Sequence, residues 1–150
     1  MDNIPKHSYA FIDGSFNPYT DVYGCGGFLV DQHGVKHIIK GSGSNPELAK
    51  MRNVAGEIFG VKKVINLAKR LNMKELIIFY DYEGIAKWPK GEWAAKNPVT
   101  KRYANYIYKA IKDGLNLSFQ HVKAHSGIPG NEMADKLAKE AVGLIKKKIA

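Results

Sequence analysis

The sequence contains a single cysteine, Cys25, and no long hydrophobic run. One cysteine excludes an intrachain disulfide and any zinc or iron–sulfur site built from several cysteines, so we expect a protein of the reducing cytoplasm. No apolar segment approaches the roughly 20 residues needed to span a bilayer, and the polar start lacks the apolar region of a signal peptide. We therefore expect a soluble, unprocessed protein without a membrane partner.

Acidic residues are in the minority, since 14 Asp and Glu stand against 23 Lys and Arg and the net charge is +9. A basic surface attracts phosphate and releases counterions on contact, which favours a nucleic acid as partner, although such a surface can also serve solubility alone. A length of 150 residues suits one domain. We expect this domain at residues 8–143, after a short extension at 1–7 and before a basic tail at 144–150.

Short apolar runs bounded by turn residues predict five β-strands. In this interpretation Asp13 closes the first strand and Gly14 marks a turn, whereas Asp81 follows the fourth strand. The predicted strands cover residues 9–13, 27–30, 35–39, 75–80 and 115–122.

Apolar residues at helical spacing predict three long helices and one short helix. Asn131 is expected to be the N-cap of the last helix. The resulting order βββαβαβα predicts an α/β fold with a mixed five-stranded sheet and helices on both faces. The long helices are expected at residues 54–71, 101–113 and 131–145, and the short helix lies with a loop between 82 and 100.

Four acidic residues stand where this architecture can bring them together. Asp13 and Asp81 each close a strand, and parallel neighbouring strands would place both carboxylates at the same sheet edge. Glu57 lies on the packing stripe of the long helix, where an unpaired charge is costly, and Asp135 lies in the first turn of the last helix. Each acid alone also fits a structural role, as a turn residue, a helix cap or an ion-pair partner.

Such a cluster has a chemical consequence, because four carboxylates in one crevice repel each other. Mg²⁺ and Mn²⁺ prefer oxygen ligands, so the cluster is expected to hold a pair of these ions about 4 Å apart for phosphoryl chemistry. His125, in the loop before Asp135, is expected to relay protons to a nucleophilic water, although a single loop histidine often has no such role.

Candidate nucleic-acid contacts lie elsewhere in the chain. Asn53, one helical turn before Glu57, can reach a ribose hydroxyl or a base edge, although Asn near a helix start is often structural. Trp88 is set among lysines that include Lys90 and Lys96. This stretch offers stacking surfaces among positive charges, and a place in the core suits its tryptophans equally well.

Several segments together resemble type 1 ribonuclease H. They span nearly the whole chain, from Tyr9 to Ala141, and the most specific joins a His-Ser-Gly loop to Asn-Glu-x-x-Asp on a helix. The matching segments are FIDGS at 11–15, NVAGE at 53–57, IIFYD at 77–81, VKAHSG at 122–127 and GNEMADKLA at 130–138. The resemblance implies metal ligands at Asp13, Glu57, Asp81 and Asp135, with His125 as the assisting histidine.

The resemblance also implies hydrolysis of the RNA strand of an RNA–DNA hybrid, with 5′-phosphate and 3′-hydroxyl products. In a two-metal-ion mechanism, one ion lowers the pKa of the attacking water and the other stabilises the departing 3′-oxygen. Strand choice would come from 2′-hydroxyls read across a wide, shallow minor groove. The nucleic-acid contacts expected on this basis are Gly14, Ser15, Asn17, Arg52, Asn53, Trp88, Lys90 and Lys96.

The sequence departs from the common family pattern in three places. YEG at 82–84 follows the third acid where many members have Ser, which resembles a group often joined to a viroplasmin-like module and makes Glu83 a candidate fifth acid. VAG at 54–56 stands where Gln-Arg-Ala is common, so Arg52 is the candidate substitute for an arginine contact. The segment 88–100 is too short and too weakly basic for the cationic protrusion of some relatives, so we expect weaker, less processive binding.

Two alternatives stay open. The first keeps the fold and the metals but cleaves branched DNA or another nucleic acid. The second is a non-catalytic nucleic-acid-binding module whose acids are structural. In the favoured interpretation the protein is a monomer without an obligate protein partner.

Overall fold

The computed structural model describes residues 8–123 and 125–146. The predicted extension at 1–7 and residues 147–150 of the predicted tail lie outside the described residues, as does residue 124 in the loop before the last helix. The strands are β1 (Tyr9–Asn17), β2 (Val22–Val30), β3 (Lys36–Gly43), β4 (Glu75–Tyr80) and β5 (Asn116–His121). The helices are α1 (Pro46–Ala49), α2 (Asn53–Arg70), α3 (Gly84–Lys90), α4 (Pro98–Lys112) and α5 (Pro129–Ala141).

The strands form one mixed sheet in the order β3-β2-β1-β4-β5. The meander β1-β2-β3 is antiparallel, while β4 pairs parallel with both β1 and β5. Phe11 is paired with Phe79, so Asp13 and Asp81, each two residues further along, emerge at the same edge of the sheet. The predicted α/β fold and the parallel arrangement of these two strands are confirmed.

Helices cover both faces of the sheet, as predicted. On one face, Gly14 brings β1 so close to α2 that a Cβ atom there would lie 2.2 Å from the carbonyl oxygen of Asn53. On the other face, a Cβ atom at Gly26 would lie 2.1 Å from the backbone nitrogen of Ala138 in α5. Helices α3 and α4 add Ile85 and other apolar residues to the core that also contains residues of α2. These close approaches seat α2 and α5 directly on the central strands.

The predicted end of the first strand is wrong. β1 continues through Gly14 to Asn17, so Asp13 lies inside the strand, and the turn to β2 falls at residues 18–21. Gly14 pairs with Cys25 of β2. The absence of a side chain at Gly14 allows α2 to approach closely. The local sequence does not show whether a glycine serves such a contact or a turn.

The predicted boundaries of the last helix are also wrong. α5 begins at Pro129 with Ile128 at the N-cap position, so Asn131 is a buried residue inside the first turn. Asp135 consequently lies in the second turn. The helix ends at Ala141, and Ile145 beyond it is exposed. Proline is favoured at the first helical position, which explains the earlier start.

Asparagine caps set two other helix starts. Asn45 accepts hydrogen bonds from the backbone amides of Glu47 and Leu48 at 3.0 and 3.2 Å, which creates the short helix α1 that was not predicted. Asn97 accepts from the amide of Thr100 at 2.8 Å and moves the start of α4 three residues before the predicted one. Within residues 8–123 and 125–146, none of the helices has the length and apolar character of a membrane span.

Candidate active site

Four carboxyl groups from four different elements meet at one edge of the sheet. Asp13 comes from β1, Glu57 from α2, Asp81 from the residue after β4, and Asp135 from α5. The charges of Asp81 and Asp135 act on Asp13, whose carboxyl group also lies within hydrogen-bonding reach of the Asp135 carboxyl. The charges of Asp13 and Asp81 act on Glu57. The structure therefore brings together the four acids that the sequence singled out.

Asp13 lies at the buried side of this group, with only 8% of its surface exposed. Its Oδ1 accepts one hydrogen bond, from the backbone amide of Gly14 at 2.9 Å. Burial raises the pKa of Asp13 to about 8; the Gly14 amide opposes this shift, and the charges of Asp81 and Asp135 add to it. Asp13 is thus held in a place that disfavours its own negative charge.

Glu57 is 3% exposed and ties α2 to the end of β4. Its Oε2 accepts from the amide of Asp81 at 3.0 Å, and its Oε1 accepts from the amide of Tyr82 at 3.3 Å. Burial raises the pKa of Glu57 well above its usual range, the Asp81 amide lowers it, and the Asp13 and Asp81 charges raise it further. The predicted position of Glu57, facing the sheet from the packing stripe, is confirmed.

Asp81 and Asp135 form the more open side of the group. Burial raises the pKa of Asp81, while His121 and His125 lower it and Asp135 raises it. Asp135 Oδ2 lies 3.0 Å from Nζ of Lys139, one helical turn further along α5. One lysine therefore compensates part of the negative charge of the group.

Two histidines approach Asp81 from the β5 side. His125 is close enough for a positive charge on its ring to lower the pKa of Asp81, and its backbone adopts a left-handed conformation with φ of 55°. His121 Nε2 lies 2.7 Å from the backbone oxygen of Asp81. The sequence interpretation missed His121. Both strands were predicted, but the β4–β5 register that places His121 opposite Tyr80 carries no local signal.

The donor set of this site suits hard divalent cations, because all four carboxylates offer oxygen ligands. Within residues 8–123 and 125–146, no three His, Cys, Asp or Glu side chains are arranged to enclose one metal ion. Mg²⁺, however, binds one or two carboxylates together with water and substrate phosphates, so it does not need such an enclosure. The residues that could hold these ions are Asp13, Glu57, Asp81 and Asp135.

The three residues after Asp13 that were predicted to contact nucleic acid, Gly14, Ser15 and Asn17, pack within the domain. Gly14 lies against α2, and Ser15 and Asn17 are each 8% exposed. The Asn17 amide donates to the carbonyl of Val142 at 2.8 Å and its oxygen accepts from the amide of Tyr19 at 3.0 Å. The Asn17 side chain therefore joins the end of β1 to the end of α5, and a nucleic-acid contact by this amide stays a prediction.

Arg52 and Asn53 are exposed at the start of α2, one turn before Glu57. The Arg52 guanidinium lies over the ring of Phe16 at 4.7 Å from the ring centre. Its backbone has φ of 56° and ψ of −126°, which is unusual for a residue with a side chain. Both residues are thus exposed at the start of the helix that carries Glu57.

Trp88 belongs partly to the core. It is half-buried and contacts the rings of Tyr82, Trp93 and Tyr103, so it has the structural role that the sequence left open. Lys90, the last residue of α3, and Lys96, in the loop that follows, are both exposed. The candidate fifth acid, Glu83, occupies the N-cap position of α3 and pairs with Lys87 at 3.6 Å.

Comparison with known proteins identifies relatives of the whole domain. The family model for RNase H matches residues 5–143. Human ribonuclease H1 is 30% identical over 101 residues, which cover 61% of this chain but 35% of the human protein. Among solved structures, RNase H1 of Halobacterium salinarum superposes with a TM-score of 0.75 at 19% identity, covering 93% of this chain and 99% of that one. LC11-RNase H1, solved in complex with an RNA/DNA hybrid, gives 0.69 at 16% identity, covering 90% and 99%.

Proposed function

Because the chain belongs to the ribonuclease H family, we propose that it hydrolyses the RNA strand of RNA–DNA hybrids and leaves 5′-phosphate and 3′-hydroxyl ends. The convergence of Asp13, Glu57, Asp81 and Asp135 carries this proposal. The complex of LC11-RNase H1 with a hybrid supports the choice of substrate. The matched part spans about a third of human ribonuclease H1. The proposal therefore concerns this domain alone and rests on the residues of its own acidic site.

In the proposed reaction the four carboxylates would hold two Mg²⁺ ions, for which Mn²⁺ could substitute. When bound, these ions compensate the acidic charge and supply a water of lowered pKa as the nucleophile. Glu57 keeps its orientation through the two amides that it accepts from, while Asp135 offers the more exposed carboxylate. His125, beside Asp81, takes up or delivers the proton that moves during hydrolysis.

Recognition of the hybrid is proposed for the solvent-facing polar side chains around the acids. Asn53 is proposed to contact a 2′-hydroxyl of the RNA strand, and its exposed position at the start of the helix that carries Glu57 supports this. Arg52, Lys90 and Lys96 are exposed and positively charged, which suits phosphate contacts that carry no base sequence. Binding should therefore depend on salt and on the sugar, and little on the base sequence.

We further propose a monomer that acts in the cytoplasm and needs neither a membrane nor a protein partner. Burial raises the pKa of the single thiol, Cys25, to about 11, which keeps it protonated and unreactive.

The YEG segment at 82–84 supports assignment to the viroplasmin-associated group. The Tyr82 amide in that segment donates to Glu57, so the variant segment takes part in shaping the site.

The test is cleavage of end-labelled substrates of one sequence, prepared as RNA–DNA hybrid, duplex RNA, duplex DNA and a four-way DNA junction, with Mg²⁺ and with EDTA. We expect Mg²⁺-dependent cuts in hybrid RNA alone. Asp135→Asn should lower the rate by at least two to three orders of magnitude, the scale expected when a major electrostatic contribution is removed. Preferred cutting of the junction would favour the branched-DNA alternative, and tight binding without any cleavage would favour a non-catalytic module.

A further inference from the structure

The backbone around Asp81 is held from two sides by side chains of other elements. Asp81 directly follows β4, and its amide donates to Glu57 Oε2 at 3.0 Å. The next peptide group joins Asp81 to Tyr82. Its N–H donates to Glu57 at 3.3 Å, and its carbonyl oxygen lies 2.7 Å from Nε2 of His121. The N–H of this peptide group is thus hydrogen-bonded to Glu57 from α2, and its carbonyl oxygen is hydrogen-bonded to His121 from β5.

The strand register delivers His121 to this position. His121 is the last residue of β5 and stands opposite Tyr80 in the parallel ladder, and its ring meets the Tyr80 ring edge-on at 5.5 Å between centres. The amide of Val122 then donates to the carbonyl of Tyr80 at 2.7 Å. Because a carbonyl oxygen only accepts hydrogen bonds, the 2.7 Å contact requires the proton of His121 on Nε2. The His121 ring, although exposed, therefore acts as a donor to the Asp81 carbonyl.

We propose that His121 is a positioning residue that fixes the Asp81 carboxylate for divalent-cation binding, by holding the carbonyl of the peptide group after it. This inference rests on the proposed function, since it takes Asp81 as a metal ligand. Glu57 restrains only the N–H side of the Asp81–Tyr82 peptide. Without a donor at position 121 this peptide can rotate about the Glu57 bonds, and the Asp81 side chain rotates with it. Residues that orient ligands in this way commonly change metal affinity by 10-fold or more.

Two substitutions separate the hydrogen bond from the ring. His121→Phe keeps an aromatic ring against Tyr80 but removes the donor, whereas His121→Gln replaces the ring by an amide whose nitrogen reaches about as far as Nε2. His33→Phe makes the same change at an exposed histidine in the turn between β2 and β3 and is the matched control. Mn²⁺ affinity is measured by titration calorimetry, alongside thermal unfolding without metal and the Mg²⁺ dependence of hybrid cleavage.

We expect His121→Phe to weaken Mn²⁺ binding about 10-fold and to shift the Mg²⁺ dependence of cleavage to correspondingly higher concentration. His121→Gln should stay within about threefold of the wild type, because one retained donor preserves the contact. Wild-type Mn²⁺ affinity in His121→Phe would overturn the proposal. Equal weakening by Phe and Gln would overturn it as well, since the donor would then not be the cause.

A measurement on the wild-type protein keeps the proposal testable should the variants fold poorly. Imidazole ¹⁵N shifts of His121 at neutral pH should report the proton on Nε2, and a proton on Nδ1 would contradict the contact with Asp81. The outcome for the proposed function is separate. A wild type that binds Mn²⁺ but leaves hybrids intact, with weaker binding in His121→Phe, would refute the nuclease and retain the role of His121.

Discussion

Asp13 and Asp31 are two scarcely exposed aspartates, at 8% and 9%, in opposite electrostatic situations. Asp31, in the turn between β2 and β3, accepts from the amides of His33 and Val35 at 2.8 and 3.0 Å and contacts His37 Nε2 at 2.9 Å. Asp13 accepts one backbone amide, and its charged neighbours are acids. The His37 contact holds the pKa of Asp31 below its usual value, whereas burial raises that of Asp13 to about 8.

The difference separates a carboxylate that serves the fold from one that serves a site. The donors around Asp31 favour its charged form, so its ionisation stabilises the folded chain. The surroundings of Asp13 disfavour its charged form, so ionisation there costs stability in the metal-free protein. Carboxyl groups with raised pKa values cluster at binding and catalytic sites.

The largest expected effect comes from removing the charge at Asp13. Asp13→Asn should lower hybrid cleavage at least 10³-fold, because a ligand and its electrostatic contribution are lost. The same change should stabilise the metal-free protein at pH 8 by about 1–2 kcal/mol, or about 2–8 °C in Tm. Cleavage assays and thermal unfolding in EDTA test the two parts. A lower Tm combined with normal cleavage would place Asp13 with Asp31 as a structural acid.

His125→Ala should have a smaller effect on turnover. We expect kcat to fall about 10²-fold with little change in KM, as for a lost general acid or base. The pH profile of kcat should change as well. Asp81 would also lose a neighbouring positive charge that lowers its pKa, so the loss should be greater at lower pH. An unchanged pH profile would rule out the proton relay.

The pH dependence of stability distinguishes the two aspartates by sign. Between about pH 4 and 8 the unfolded chain has lost the proton of Asp13 while the folded chain retains it. Folding stability without metal should therefore fall as pH rises through this range. Urea unfolding of wild type and Asp13→Asn in EDTA gives the difference. Mg²⁺ should restore more stability at pH 8 than at pH 5, since it binds the ionised form.

Much of the fold was predictable because the apolar periodicity is strong. The run at 75–80 became β4, and the helical spacing after Val54 became α2. The errors fall where one residue type has two uses. The sequence predicts a turn at Gly14 because glycine permits turns, whereas in the structure its missing side chain allows α2 to approach β1 closely. The contact with α2 is a tertiary feature that local sequence does not carry.

The site shows the same limit. Asp13, Glu57, Asp81 and Asp135 were singled out from residue type and element position, and their convergence was predictable once the strands were taken as parallel neighbours. His121 was not found, since its approach to Asp81 depends on the β4–β5 register and on a ring rotamer.

The smallest expected effect lies at Asp31 and completes the comparison with Asp13. Asp31→Ala removes the acceptor of the His33 and Val35 amides and the partner of His37, so Tm at pH 7 should fall by about 2–6 °C. Cleavage per folded molecule should stay within about twofold of the wild type, because this turn does not contribute to the acidic site.

The pKa of Asp31 is lowered by folding, so its stabilisation is present at neutral pH and is lost as pH falls through the folded pKa. Wild type and Asp31→Ala should therefore converge in Tm in strong acid. This pH dependence is opposite in sign to that expected for wild type and Asp13→Asn, whose stabilities should diverge as pH rises. Convergence at high pH instead would show that the turn is held by something other than the ionised carboxylate.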